Sequence, residues 1–194
     1  MRTPVHRVIV VDPPWPFRDR LPGPGRGAEK HYAVLPVPRI VRFLEDDVDE
    51  RMAASSVLFL WMVPAMAEEA IEVCRGWGFE PKSELIWVKL AKRFGKAGNE
   101  NEPIDWRTGD GLHFGMGRYV RMAHERCIIA TRGRASHLVG DHATRSVFFA
   151  PVGRHSEKPD EFYDLVERLV PGGPYLELFA RRQRAGWSCR GNEL

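Results

Sequence analysis

The chain has 194 residues, of which 43% are hydrophobic, and a formal net charge of +3 at pH 7, which favours a single globular domain over residues 1–194. It contains no apolar run of about 18 residues or more, and its short N-terminal apolar stretch ends on an acid, so we expect neither a membrane span nor a secretory signal, and a cytoplasmic location. The three cysteines lie far apart without a CxxC pair, and the seven histidines show no HExxH spacing, which argues against a disulfide framework and against any required metal.

The first predicted strand, residues 7–11, ends on the sequence DPPW. Two prolines follow Asp12 and stop the strand, because neither offers an N–H group to a neighbouring strand. Residues that precede a proline are held in extended conformations. We therefore expect Asp12, Pro13 and Pro14 to form a stiff segment with outward-facing carbonyls, which displays Trp15.

Five more predicted strands and three helices follow along the chain. The strands cover residues 56–62, 84–89, 127–131, 146–150 and 175–179, and the helices cover residues 38–48, 64–77 and 159–169. Short apolar strands that alternate with amphipathic helices predict an α/β domain with a mainly parallel sheet covered by helices on both faces. In such sheets ligands bind at the carboxyl ends of the strands, and this places Asp12 in position for chemistry.

Two long segments, residues 18–35 and 91–122, are rich in glycine, proline and charge. Loops of this length in a compact domain are usually functional lids or binding loops, or are disordered. Residues 89–134 contain ten lysines and arginines against five acids, which suggests a polyanionic partner held by one face. A solvated loop region with ordinary arginine enrichment would show the same pattern.

Two charged residues near the C-terminus break local rules. With Pro159 as the first helical residue, Lys158 occupies the helix cap, where a cation is unfavourable by about 0.3–1 kcal/mol if exposed. Together with the helix end, this lysine would receive a carboxylate or a phosphate; the alternative is a lysine that extends into solvent. Glu177 lies within a predicted strand on the same face as Tyr175 and Phe179, where an acid is disfavoured unless it faces the surface or binds something such as ribose hydroxyls.

Seven ordered blocks cover nearly the whole chain and share one resemblance. They are DPPW (12–15), HY (31–32) before LP (35–36), LFLWMVP (58–64), GFEPKSELIWVK (78–89), GRYVRMAHERCIIATRG (117–133), HSEKPDEFYDLVERL (155–169) and LELFARRQRAGWSCRGNE (176–193). The set resembles the MT-A70 family of adenine N6-methyltransferases, which use S-adenosylmethionine. The resemblance implies a Rossmann-like methyltransferase fold with a permuted motif order, in which DPPW precedes the cofactor strand.

The resemblance also implies roles for individual residues. The catalytic set is Asp12, Pro13, Pro14 and Trp15; the substrate-binding set is Tyr32, Glu125, His31 and Arg121; the cofactor-binding set is Asp12, Lys158, Glu177, Arg181, Asn192 and Glu193. Asp12 and the Pro13 carbonyl would hold the adenine amine, and Trp15 with Tyr32 would sandwich the base. Glu125 would face the substrate nucleoside, although it could instead pair with Arg121 or Arg126.

These roles predict methyl transfer from S-adenosylmethionine to N6 of adenine in DNA. Two alternatives stay open, the same reaction on RNA and a non-catalytic nucleic-acid-binding subunit, and so does a homodimer. The tryptophans Trp61, Trp77 and Trp87, together with His6, are assigned to packing or to the surface, and Cys74 and Cys127 to the core.

Overall fold

A single seven-stranded sheet forms the centre of the computed structural model, which describes residues 5–16, 34–46, 51–96, 103–105, 107–115, 117, 119–154 and 156–191. The strands are β1 (Val5–Val11), β2 (Arg51–Met62), β3 (Glu80–Leu90), β4 (His124–Arg132), β5 (Val147–Pro151), β6 (Tyr175–Leu178) and β7 (Trp187–Arg190). The helices are α1 (Val37–Asp46), α2 (Ala67–Gly76) and α3 (Asp160–Leu169). No helix in these ranges is long and apolar enough to cross a membrane.

The strand order is β5, β3, β4, β2, β1, β6, β7. β4 runs antiparallel to both of its neighbours, and the other paired strands are parallel. The carboxyl ends of β1, β2, β3 and β6 therefore share one edge of the sheet with the beginning of β4. This edge, called the site edge below, carries the residues discussed in the next section.

The sheet is covered on both faces, as the alternation of strands and helices predicts. On one face, Phe162 and Val166 of α3 pack into a core with strand residues such as Phe59. On the other face, Ile40 of α1 and Val73 of α2 pack into a second core. Burial of apolar side chains from the helices on both faces is what fixes the helices to the sheet.

The six predicted strands are all present, and the structure adds β7. The sequence of β7 is WSCR, which has too few apolar residues and is too short to give a strand pattern of its own. β7 pairs with β6 at the edge of the sheet. This pairing, and not an apolar pattern in its own sequence, defines β7 as a strand. Cys74 and Cys127 are fully buried, as predicted, and Cys189 of β7 is buried as well.

Several element ends differ from the sequence prediction, and two of these differences change the placement of residues discussed above. Helix α3 begins at Asp160 with Pro159 as its N-cap, so Lys158 lies before the cap and the predicted capping conflict is wrong. The two acids at the start of α3, Asp160 and Glu161, instead complement the helix dipole. Strand β6 ends at Leu178, and Phe179 adopts a φ of 60°.

The turn at Phe179 changes the face on which its ring lies. The Phe179 ring centroid is 4.4 Å from that of Phe43, and both rings pack with the core that contains Leu176 and Leu178. The predicted placement of Phe179 on the same face as Glu177 is therefore wrong, because the strand alternation stops one residue earlier.

Phe162→Ala should lower the free energy of unfolding by about 3–5 kcal/mol, because it leaves a large cavity beneath α3. The Phe162 ring is fully buried and its centroid lies 4.7 Å from that of Trp61. Urea denaturation followed by circular dichroism measures the loss. Phe149→Ala is the matched control, since that ring is 55% exposed, and it should stay within about 0.5 kcal/mol of wild type. Equal losses in both variants would contradict a core role for Phe162.

Candidate active site

Asp12 immediately follows β1 near the middle of the sheet. β1 pairs in parallel with β2 on one side and with β6 on the other. Strands β2 to β5 lie on the first side and β6 and β7 on the second, so the order of the strands reverses at β1. This reversal of strand order is the switch point at which open α/β sheets bind ligands. Asp12 therefore lies where the strand pattern predicts a site.

Two backbone hydrogen bonds hold the segment after Asp12. The Trp15 N–H donates to the Pro13 carbonyl at 2.8 Å, and the Leu35 N–H donates to the Pro14 carbonyl at 2.9 Å. The first bond closes a tight turn. The Trp15 side chain is only 5% exposed, so the expectation of a displayed ring is wrong.

The indole of Trp15 is also anchored through its nitrogen. Its N–H donates to the Trp61 carbonyl at 2.9 Å. Because a buried indole N–H needs an acceptor, this bond fixes the ring as part of a wall at the end of β2.

Lys158 is buried between two carboxylates. Its Nζ lies 2.6 Å from Asp12 Oδ2 and 3.3 Å from Glu125 Oε2, and the lysine is only 8% exposed. The ammonium also lies 5.0 Å from the centroid of the Trp61 ring, a cation–π contact. The alternative of a lysine extending into solvent is therefore wrong.

Glu125, near the start of β4, bridges two lysines. Its Oε1 lies 2.6 Å from Lys89 Nζ, and its Oε2 contacts Lys158. Burial by itself would raise the pKa of Glu125. The two ammonium groups outweigh this effect and lower the pKa from 4.5 to about 2. The carboxyl is therefore ionised at neutral pH despite its partial burial.

Lys89 is a site residue that the sequence reasoning missed. Trp87 of β3 pairs with Glu125 of β4, and Lys89, two residues further along β3, projects from the same face as Trp87. The diagonal neighbour across an antiparallel pair is within reach of a long side chain. The signal in the sequence is a lysine, Lys89, at the carboxyl end of an apolar strand. Its partner Glu125 follows only from the register between β3 and β4.

Neither arginine considered as a partner for Glu125 pairs with it in the described contacts. Arg126 Nη2 lies 2.7 Å from Glu84 Oε2. Arg121 is exposed, and its guanidinium lies 4.9 Å from the centroid of the Phe114 ring. The predicted alternative for Glu125 is therefore wrong.

Glu177 lies in β6, next to β1, with only 7% of its surface exposed. The Tyr163 hydroxyl of α3 donates to its Oε1 at 2.6 Å. Burial raises the pKa of Glu177, the bond from Tyr163 lowers it, and the charge of Asp12 raises it, so that the net direction is upward. The carboxylate of Glu177 thus accepts a hydrogen bond from a hydroxyl group, and carboxylate oxygens can accept more than one such bond.

A cavity of about 550 Å³ opens at the site edge. Its lining falls into a charged wall, an apolar wall and a loop wall. The charged wall is Asp12, Lys89, Glu125, Lys158 and Arg181; the apolar wall includes Trp15, Trp61, Met62, Val63 and Pro64; the loop wall includes Gly117, Tyr119, Val120 and Met122. Among the described residues, Glu177 and Arg121 are not part of this lining.

Trp61 is buried in the core, so its assignment to packing is confirmed, but it also lines the cavity, and its exclusion from the site is wrong. Trp77 and Trp87 are buried, and their indole N–H groups donate to backbone carbonyls. His6 is fully buried. The predicted site residues Tyr32, His31, Asn192 and Glu193 lie outside the described residues, and their roles stay predictions.

Sequence comparison supplies the family. The sequence model of the MT-A70 family matches residues 6–193. This chain belongs to the MT-A70 family. MT-A70 methyltransferases use S-adenosylmethionine as the methyl donor.

The relatives include plant, animal and bacterial proteins. A probable N(6)-adenosine-methyltransferase MT-A70-like of Oryza sativa subsp. japonica is 32% identical over 189 residues, which are 96% of this chain and 23% of the relative. The N(6)-adenosine-methyltransferase catalytic subunit METTL3 of Homo sapiens is 31% identical over 190 residues, 96% of this chain and 28% of the relative. The chain thus spans about a quarter of the length of these relatives.

A bacterial relative matches over more of its own length. The Type II methyltransferase M.MunI of Mycoplasma sp is 23% identical over 203 residues, which cover 97% of this chain and 78% of the relative.

The described residues of the MT-A70 chain fit the chemistry of S-adenosylmethionine. This molecule carries a carboxylate, ribose hydroxyls and a positive sulfonium. The Lys158 ammonium has three N–H donors, of which the described contacts to Asp12 and Glu125 engage two, so one would serve the carboxylate. Glu177 would accept from the hydroxyls, and the charge of Asp12 favours a cation nearby.

The ionisation of Glu125 predicts acid sensitivity. A carboxyl whose pKa is lower in the folded chain stabilises the fold above its unfolded pKa and loses this contribution as the pH falls through the folded pKa. The free energy of unfolding should therefore drop between about pH 5 and pH 2, the window set by the ordinary value of 4.5 and the folded value of about 2. Glu125→Gln should make this drop smaller by on the order of 2 kcal/mol, allowing for the 30% exposure of the side chain.

Denaturation at a series of pH values measures this dependence. Glu84→Gln is the control, because it removes a carboxylate that is more exposed, at 38%, and paired with Arg126; it should reduce the drop much less. A Glu125→Gln variant with the same pH dependence as wild type would contradict the ionised, doubly paired state of Glu125.

Proposed function

We propose that this chain transfers a methyl group from S-adenosylmethionine to the exocyclic N6 of adenine in DNA. The observation that carries the proposal is the Asp12 carboxylate at the switch point of the sheet, held by a buried ammonium at the edge of a cavity. Lys158 engages Asp12 through Oδ2, and the other carboxylate oxygen of Asp12 remains as an acceptor for the amine. The cavity volume of about 550 Å³ lies in the range typical of small-ligand sites.

The chemistry to be achieved explains why acceptors matter. The lone pair of an exocyclic adenine amine is delocalised into the ring, so the nitrogen is a poor nucleophile. Acceptors on the amino hydrogens favour a more tetrahedral nitrogen and stabilise the positive charge that develops on it during transfer. The bound cofactor would supply the electrophilic methyl group and leave as S-adenosylhomocysteine, and the methylated nitrogen would lose one proton to solvent. Asp12, with the Pro13 carbonyl beside it, supplies the acceptors.

The aromatic residues near Asp12 would hold the base. The ring of Trp15 is fixed through its N–H bond to the Trp61 carbonyl, and Trp15 lines the cavity together with Trp61. Enzymes that modify a base in a duplex extrude it into such a pocket and pack it against aromatic or apolar side chains. Tyr32 is proposed as the second ring against the base.

The choice of DNA over RNA rests on the extent of the match to the bacterial relative. The names of the rice and human relatives specify adenosine, a ribonucleoside, and those proteins extend far beyond the matched region. The Type II methyltransferase M.MunI is matched over 78% of its length, so this chain is more similar in extent to that protein than to the longer adenosine methyltransferases. RNA is the second candidate, because identity to the adenosine methyltransferases, at 31–32%, exceeds the 23% to M.MunI.

The test offers the full chain labelled S-adenosylmethionine and matched single- and double-stranded DNA and RNA oligonucleotides, each made with and without adenine. We expect adenine-dependent transfer of label to DNA. Transfer to RNA alone would overturn the assignment of the polymer. Cofactor binding without adenine-dependent transfer to any oligonucleotide would overturn the enzymatic proposal and favour a non-catalytic nucleic-acid-binding subunit.

Asp12→Asn should lower kcat by about 100- to 1000-fold, the usual effect of removing one electrostatic contact to the developing charge. The amide keeps the shape of the side chain but weakens both the acceptor and the ion pair with Lys158. Asp110→Asn is the matched control, since that carboxylate is exposed at 75% and contacts Arg93 outside the cavity; it should keep wild-type kcat. Full activity in Asp12→Asn would contradict the assigned mechanism.

A further inference from the structure

The loop wall of the cavity carries an exposed apolar cluster that the fold does not use for packing. Phe114, Tyr119 and Val120 are 76%, 92% and 65% exposed. These three residues, together with Arg121, are called the lip below. Tyr119 and Val120 also line the cavity, so the lip is continuous with the proposed site.

The lip has a defined backbone. A Cβ added to Gly115 would lie 2.1 Å from the Met122 carbonyl oxygen, and one added to Gly117 would lie 2.1 Å from the Val120 carbonyl oxygen. Only glycine permits such close approach, so the chain folds back on itself here. Arg121 reinforces the fold-back, since its Nη1 donates to the Gly117 carbonyl at 3.4 Å. The exposed side chains are thus presented by a backbone arrangement that the sequence specifies.

The composition of the lip suits nucleic-acid bases. The Arg121 guanidinium lies 4.9 Å from the Phe114 ring centroid, and Tyr119, two residues before Arg121, presents a nearly fully exposed ring. Aromatic rings and arginine planes are the groups on which unpaired bases stack. The surrounding segment, residues 89–134, has ten basic residues against five acidic ones, and this charge is complementary to the phosphates of a strand.

We propose that the lip binds the unpaired nucleotides that flank the target adenine, with the Tyr119 ring stacked on a neighbouring base. The proposal rests on the proposed function, because it takes the cavity as the place of the target base. The proposal implies that the chain binds a single strand, or a locally opened duplex, more tightly than an intact duplex. Tyr119 is then a substrate-positioning residue outside the reacting groups.

The experiment compares wild type with Tyr119→Ala and Tyr119→Phe. The probe is an end-labelled single-stranded DNA of nine nucleotides with one central adenine, made either with normal neighbours or with abasic neighbours. Fluorescence anisotropy gives Kd without any need for transfer, and the methyl-transfer assay gives KM and kcat. Phe149→Ala is the control, since Phe149 is an exposed aromatic residue that does not line the cavity.

We expect Tyr119→Ala to raise Kd and KM for the normal strand by about 5- to 150-fold, the range that corresponds to one stacked base, with little change in kcat. Tyr119→Phe should restore tight binding, because it keeps the ring. On the abasic strand, wild type and Tyr119→Ala should bind equally weakly. Phe149→Ala should match wild type throughout.

Three results would overturn the proposal. The first is an equal loss for the normal and the abasic strand, and the second is no loss for either. The third is a change of oligomeric state in Tyr119→Ala, measured by light scattering, which would assign the lip to a protein partner. Circular dichroism of each variant verifies that it is folded. If wild type binds the strand but transfers no methyl group, the proposed function fails, and the Kd comparison still decides whether the lip stacks.

Discussion

The buried ammonium of Lys158 is the constraint on which the rest of the site depends. A charge this deeply buried is tolerated only when it is paired and hydrogen-bonded, and its partners Asp12 and Glu125 come from the end of β1 and the start of β4. Three distant parts of the chain must therefore meet at one point. Breaking one member leaves an unpaired buried charge, so the geometry of the site is coupled to the stability of the fold.

One lysine cannot balance two carboxylates, and Lys89 completes the set. With Lys89 on Oε1 and Lys158 on Oε2 of Glu125, these two cations balance the two carboxylates, and Arg181 gives the charged wall as a whole one net positive charge. Glu125 is then committed to the two lysines, whereas Asp12 keeps one oxygen outside these contacts. The network thus separates the two acids, because both oxygens of Glu125 are paired with lysines, whereas Asp12 keeps an oxygen that could accept from the proposed substrate amine.

The sequence predicted the elements better than the directions of side chains. β-branched and apolar runs identified six strands because burial on both faces leaves a local pattern, and β7 was missed because its four residues carry none. Lys158 was selected through a capping argument that the helix start at Asp160 refutes, although its burial is real. The Trp15 indole is held inward by its bond to the Trp61 carbonyl, a residue 46 positions away, and Lys89 reaches Glu125 through the register of β3 and β4. Both depend on contacts that local sequence does not encode.

The strand ends and the loop wall, on the two sides of the cavity, have different roles in the proposed recognition of the substrate. In the proposed function the strand ends would supply acceptors and fixed charges for a single base, and any adenine would offer the same amine to them. Extruding that base from a duplex costs a few kcal/mol, which one stacking contact at about 1–3 kcal/mol only offsets. Selection among polymers must then come from groups that contact neighbouring nucleotides, and in the described chain those groups lie between β3 and β4. A rigid sheet edge can therefore keep its chemistry while the loop beside it changes the substrate.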